Sequence, residues 1–200
     1  MRGLKELLIL GTVTGAIAAC APDSEESCED LAKGNNHPEN SEWLRLDSFL
    51  SRISLKYPPD WHLSTEAHDL GHDVLIKNTL DDFPPQIDIW SEELEGTSSS
   101  EAFRNIEESI RFSLIQNGNP QTESAIIISG GPCIDGSESK IFAYSDNSSG
   151  FQSSHYALVK DGVLFQFAFS ARPDGFSENE EIFHKIIESV TFQEPSDPRF

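Results

Sequence analysis

Between His155 and Phe169 two apolar runs are separated by Lys160-Asp161-Gly162, and this stretch constrains the fold more than any other. An Asp-Gly pair between such runs predicts a tight hairpin, because glycine accepts the positive φ that the turn demands. The arms are then His155–Val159 and Val163–Phe169, with Phe165, Phe167 and Phe169 sharing one face of the second arm. Three phenylalanines on one side of a strand require a core to receive them, and Gln166 and Ala168 must point the other way.

Upstream, Trp43, Leu44 and Leu46 start an extended stretch. Ile53, Leu55 and Tyr57 alternate with Ser54 and Lys56, the period of a half-buried strand. Pro58-Pro59-Asp60 turns the chain, after which Trp61 and Leu63 resume the alternation. Val74-Leu75-Ile76 and Ile87–Trp90 read as further strands, as do Ala125–Ile128 and Ile141–Tyr144.

Two segments change period. Ser98 and Glu101 have capping-box spacing ahead of Phe103, Ile106, Ile110 and Leu114, which recur every three or four residues on one helix face. Gly118 and Pro120 stop that helix. Ser177 and Glu180 have the same spacing before Ile182, Phe183, Ile186, Ile187 and Val190, so a second helix is expected to open at Ser177. Strands, one helix, more strands and a terminal helix imply an α+β domain: an antiparallel β-sheet with helices packed on it.

The N-terminus has a different character. Arg2 and Lys5 precede a 13-residue apolar or small-residue run, Leu7–Ala19. Such a run is too short to span a bilayer of roughly 30 Å as a helix, and it reads as the apolar part of a signal peptide. Ile17-Ala18-Ala19-Cys20 resembles the lipobox of bacterial lipoproteins. That resemblance implies cleavage before Cys20 and attachment of acyl chains such as palmitate to its sulfur. Two or more acyl chains make an anchor stable, whereas one leaves it reversible. The expected location is the bacterial cell envelope, with the domain held to a membrane outside the cytoplasm.

The expected organisation is a lipoprotein signal peptide at 1–19, an acidic polar tether at 20–42, one domain at 43–193 and a fraying tail at 194–200. The tether has too few apolar residues to offset the cost of its own ordering. Removing residues 1–19 takes the chain from 14 basic and 34 acidic residues to 12 and 33, a net charge of −21. That surface repels phosphate backbones, which excludes nucleic acid as a main partner. With Cys20 lipidated, Cys28 and Cys133 remain as an even pair in an oxidising compartment. A bridge between them would pin the tether to the domain; the alternative leaves Cys28 free and Cys133 merely buried.

Ile53-Ser54-Leu55-Lys56-Tyr57-Pro58-Pro59-Asp60-Trp61 resembles the strand–turn signature of PsbP-like domains. The order that follows is also similar: a helix after Ser98-Ser99-Ser100-Glu101-Ala102-Phe103, a Phe-rich hairpin, and a closing Phe183–Phe192 stretch. The resemblance covers roughly residues 43–193 and implies an α-β-α sandwich. Family members include the extrinsic photosystem II protein and Mog-type relatives, and they act largely through binding or assembly, so no catalytic residues or cofactor carry over.

The chemistry-bearing residues are sparse. His62, His68 and His72, with Asp69 and Asp73, form the most suggestive cluster. On a helix His68 and His72 would share a face at a spacing that suits zinc, but Gly71 argues for a loop, where that spacing loses its meaning. Cys133 follows Gly130-Gly131-Pro132, and nothing places a histidine beside it as base. Asp146–Gly150 lacks the calcium-loop pattern and reads as a turn. The expected function is therefore a non-enzymatic envelope lipoprotein that binds a protein partner or supports assembly of a complex. The alternative is a metal- or small-ligand-binding lipoprotein using His62, His68 and His72.

Overall fold

The computed structural model describes residues 42–48, 50–64, 74–78, 85–116, 126–146 and 150–193. Strands β1 (Leu44–Ser48), β2 (Ile53–Tyr57) and β10 (Thr191–Phe192) form a small sheet in the order β1-β2-β10. Strands β3 (His62–Leu63), β4 (Val74–Lys77), β5 (Gln86–Glu93), β6 (Ile127–Gly130), β7 (Lys140–Asp146), β8 (Phe151–Lys160) and β9 (Val163–Ala171) form the large one. Its order is β3-β4-β5-β9-β8-β7-β6, antiparallel throughout.

The hairpin between β8 and β9 is the longest pairing, running from Gln152↔Ala171 to Lys160↔Val163. Asp161 and Gly162 take φ values of 52° and 77°, the two positive dihedrals of a type I′ turn. Phe165, Phe167 and Phe169 are buried on one face, as the alternation requires. There they meet helix α2 (Pro173–Glu188) and β2, in a core that includes Ile53, Leu55, Trp61, Tyr156, Phe183, Ile186 and Ile187. Phe169 stacks on Phe183 with centroids 5.3 Å apart.

On the opposite face lies helix α1 (Ser99–Gln116). Its buried stripe, Ala102, Ile106, Ile110 and Leu114, packs on Phe142, Ala157 and Leu164. The start follows the expected cap: Ser98 Oγ accepts the Glu101 N–H at 3.3 Å. Helix, sheet and helix make the α-β-α sandwich.

Three details differ from the sequence reading. Helix α2 starts at Pro173 rather than Ser177, with Arg172 as an N-cap whose side chain does not cap the helix. Proline at the first helical position needs no N–H partner and has its φ preset, so the helix begins there and Ser177 lies inside it. Strand β6 runs two residues later than Ala125–Ile128, because its ladder follows the register Ile127↔Ala143 to Gly130↔Lys140. Leu63 shares the direction of buried Trp61 but is exposed, since β3 is a two-residue edge.

Candidate functional site

Strand register places a set of polar side chains on the outer face, the side that carries α1. One cross-strand row reads Gln86, Ser170, Ser153 and Tyr144; the next reads Asp88, Ala168, His155 and Phe142. Trp90 and Gln166 belong to the following row. Helix α1 covers the apolar members, Phe142, Ala157 and Leu164, and the remainder forms a hydrogen-bonded patch beside it.

His155 is central to that patch. Its Nε2 lies 3.1 Å from the Tyr144 hydroxyl, and the Trp90 ring meets it edge-on at 6.0 Å. Its Nδ1 is buried and has no hydrogen-bond partner among the described residues. Burial pushes the imidazole down to about 4, so the ring stays neutral through the physiological range. Tyr144 is pushed up, chiefly by burial, with the Asp146 and Asp88 carboxylates adding and a hydrogen bond from Ser153 opposing. Ser153 Oγ and Ser170 Oγ are 2.9 Å apart, and Gln86 Nε2 donates to Asp88 Oδ2 at 3.1 Å. A neutral imidazole, a phenol held protonated and paired hydroxyls can fix orientation, but they supply neither an activated nucleophile nor a base poised near neutrality.

The second feature is the β6 end of the large sheet. Among the described residues, strand β6 pairs only with β7. Ile127 and Ile128 on it are 56% and 41% exposed, and Phe112 and Ile115 of α1 are 63% and 59% exposed. The strand carries no charged residue. Isolated apolar residues on a surface need no explanation, but an uncharged apolar edge offers unpaired backbone groups to another strand.

The residues singled out from sequence fall elsewhere. Cys133 is disulfide-bonded, so its sulfur has no thiolate to offer as a nucleophile; Cys20 and Cys28 lie outside the described residues. His62 is exposed on β3 opposite Lys77, on the outer face, while His68 and His72 lie outside the described residues. Among the described residues no group of three metal-ligating side chains converges, and no helix is long and apolar enough to cross a membrane. The sequence reading missed the cluster of Trp90, Tyr144 and His155. Each is visible as a strand residue, yet only the pairing of β5, β9, β8 and β7 brings them together.

No protein-family model matches the chain, and no curated protein matches it in sequence. Among solved structures, cyanobacterial PsbP (CyanoP) from Synechocystis superposes with a TM-score of 0.54 at 13% identity, over 80% of this chain and 99% of that one. LpqN, involved in cell envelope biogenesis of Mycobacterium tuberculosis, aligns at 0.47 and 14% identity, over 84% and 98%. A Bacteroides thetaiotaomicron protein aligns at 0.49 and 12% identity, over 78% of this chain and 50% of its own. The described domain has the PsbP-like fold, an α+β sandwich.

Proposed function

We propose that this chain is a non-catalytic, lipid-anchored module of the bacterial envelope that engages a protein partner along the open edge of β6. The observation that carries the reading is the exposure of Ile127 and Ile128 on an uncharged edge strand. Natural sheets ordinarily protect their edges with devices such as charge or proline, and Ile127–Gly130 carries neither. Addition of a partner strand would satisfy its backbone groups, and the isoleucines would supply side-chain contacts. The neutral outer-face cluster supports a binding role over a chemical one.

Anchoring rests on the lipobox at Ile17–Cys20. A Cys20→Ser variant is expected to lose both lipid and lipoprotein-type cleavage; maturation at the same site with retention in the membrane fraction would refute the anchor. The edge is tested with Ile127→Lys, whose exposed position should leave the fold intact. Crosslinked complexes recovered from native envelopes with the wild-type protein should be lost from the variant. Recovery of the same partner at the same yield would reject β6 as the binding edge.

A further inference from the structure

The register of β6 on β7 decides which of its backbone groups face outward. The Gly131 N–H donates to Ser139 O at 2.9 Å, just past the last paired residues, Gly130 and Lys140. In an antiparallel ladder the direction alternates with each residue, so Ser129 and Ile127 also turn their N–H and C=O groups toward β7. Ile128 and Gly130 turn theirs away from it. Pro132 is the next residue of that parity and has no N–H to give, so the outward row of donors ends at Gly130.

The same two residues share a face. Ile128 lies opposite Phe142, which is packed under α1, and Gly130 lies opposite Lys140, so both belong to the outer side of the sheet. At Gly130 that side has a gap: a Cβ placed there would meet no atom within 4 Å. Lys140 borders the gap, and its Nζ stands 4.8 Å from the centroid of the Phe103 ring on α1. The bare backbone of Gly130 is thus flanked by an aliphatic side chain along the strand and by an ammonium already engaged with an aromatic ring across it.

We infer that the strand docking on β6 is an antiparallel segment of another protein that sets an aromatic side chain over Gly130 and an aliphatic one beside Ile128. The inference rests on β6 being the binding edge, as proposed above, and adds what the partner must present there. An antiparallel strand exchanges both backbone bonds with Ile128 and again with Gly130, which places the aromatic residue two positions before the aliphatic one. A ring opposite a glycine covers backbone that no side chain shields. It also comes within reach of Lys140 and Phe103, which adds a cation–π contact and a ring contact.

Charge decides between the candidate side chains. A carboxylate would answer the Lys140 ammonium too, but the chain carries a formal net charge of −20, which repels an acidic segment and leaves a neutral ring unaffected. A second copy of this chain fits poorly for the same reason, and its own Ile127–Gly130 strand has no ring to offer.

The test titrates the full chain, labelled with nitrogen-15, with synthetic peptides and follows its amide resonances. The probe is a threonine-rich strand peptide with tryptophan two positions before isoleucine; companion peptides carry alanine or glutamate in place of the tryptophan. The tryptophan peptide should shift the Ile128 and Gly130 amides and bind roughly five-fold or more tighter than the alanine peptide, with the glutamate peptide no better than alanine. Gly130→Pro removes an outward N–H without touching a bond to β7, a place where an edge strand tolerates proline, and should abolish binding of every peptide. Gly130→Thr keeps the N–H but fills the gap, so the tryptophan peptide should fall to the level of the alanine peptide, whose affinity stays the same. Lys140→Ala should weaken the tryptophan peptide roughly two- to five-fold and leave the alanine peptide unchanged. The amides of Phe165 and Phe167 report whether each variant keeps its core; were Gly130→Pro to lose it, Gly130→Thr and Lys140→Ala still decide. Equal affinity for the tryptophan and alanine peptides, or a preference for glutamate, overturns the inference and leaves β6 as the binding edge. Broadening of the Ile128 and Gly130 amides on concentrating the protein without peptide overturns it in favour of a second copy. Binding of no peptide, or binding that survives Gly130→Pro, rejects the edge itself.

Discussion

The two faces of β9 are built from the same nine residues, yet they do different work. Toward α2, Phe165, Phe167 and Phe169 form an unbroken aromatic row in the principal core. Toward α1, Leu164 is covered by the helix, while Gln166, Ala168 and Ser170 run into the polar patch around His155. The inner face is held chiefly by apolar burial, with the Tyr156 hydroxyl 3.0 Å from His184 Nδ1 as a polar contact at that core. The outer face is divided between a helix seat and a hydrogen-bonded cluster whose members must keep particular protonation states. A strand can thus serve stability on one side and specificity on the other, because successive side chains point to opposite faces.

The largest effect is expected on the inner face. Phe167→Ala should cost roughly 3–5 kcal/mol through lost burial and the cavity left behind. Chemical denaturation of the soluble domain measures it, and a comparable loss for Gln166→Ala would erase the contrast between the faces. Next comes the acid sensitivity of the outer face. His155 is held near 4 in the folded state, below its ordinary 6.5. Between those values the unfolded chain takes up a proton that the native ring refuses. Its contribution is therefore complete above about pH 6.5 and is lost as pH falls to about 4, by as much as roughly 3 kcal/mol. His155→Gln should flatten that part of the stability–pH curve; an unchanged slope would assign the acid sensitivity to other groups.

Gly162→Val acts on both faces, since the turn sets the register of β8 against β9. Its φ of 77° suits glycine, and a β-branched residue there should cost about 1–3 kcal/mol in strain. A neutral result in thermal melts would mean that the turn relaxes without disturbing either face. The smallest of these effects is Gln166→Ala, roughly 1 kcal/mol, because the polar side chain contributes one modest burial. A cost above 3 kcal/mol would show that the outer row bears more of the fold than its polarity suggests.

Much of this contrast is legible in the residues themselves. The Asp161-Gly162 turn, the phenylalanine row and the Ser98 cap are local signals, and each is complete within a few residues. The same locality explains the misreading of α2. Ser177 and Glu180 reproduce capping-box spacing inside a helix that Pro173 had already started. The His155 cluster is opaque for a different reason. Tyr144 and Trp90 meet it only after β7, β8, β9 and β5 align, and backbone ladders carry no residue code that specifies such distant partners. The β6 edge is similarly hidden, because Ile127 and Ile128 read simply as strand residues, and only the sheet order places them at its end.

The position of β10 also bears on the order of events during synthesis. Strand β2 is paired on one side with β1, its immediate predecessor, and on the other with Thr191 and Phe192. Gln193 Nε2 reaches Ile53 O, 3.4 Å away, across 140 residues of chain. At ribosomal rates of about 5–20 residues per second, β2 therefore waits roughly 7–28 s for its last neighbour. Completion of the small sheet thus waits for the end of the chain, because β2 cannot gain its second neighbour until Thr191 and Phe192 are in place.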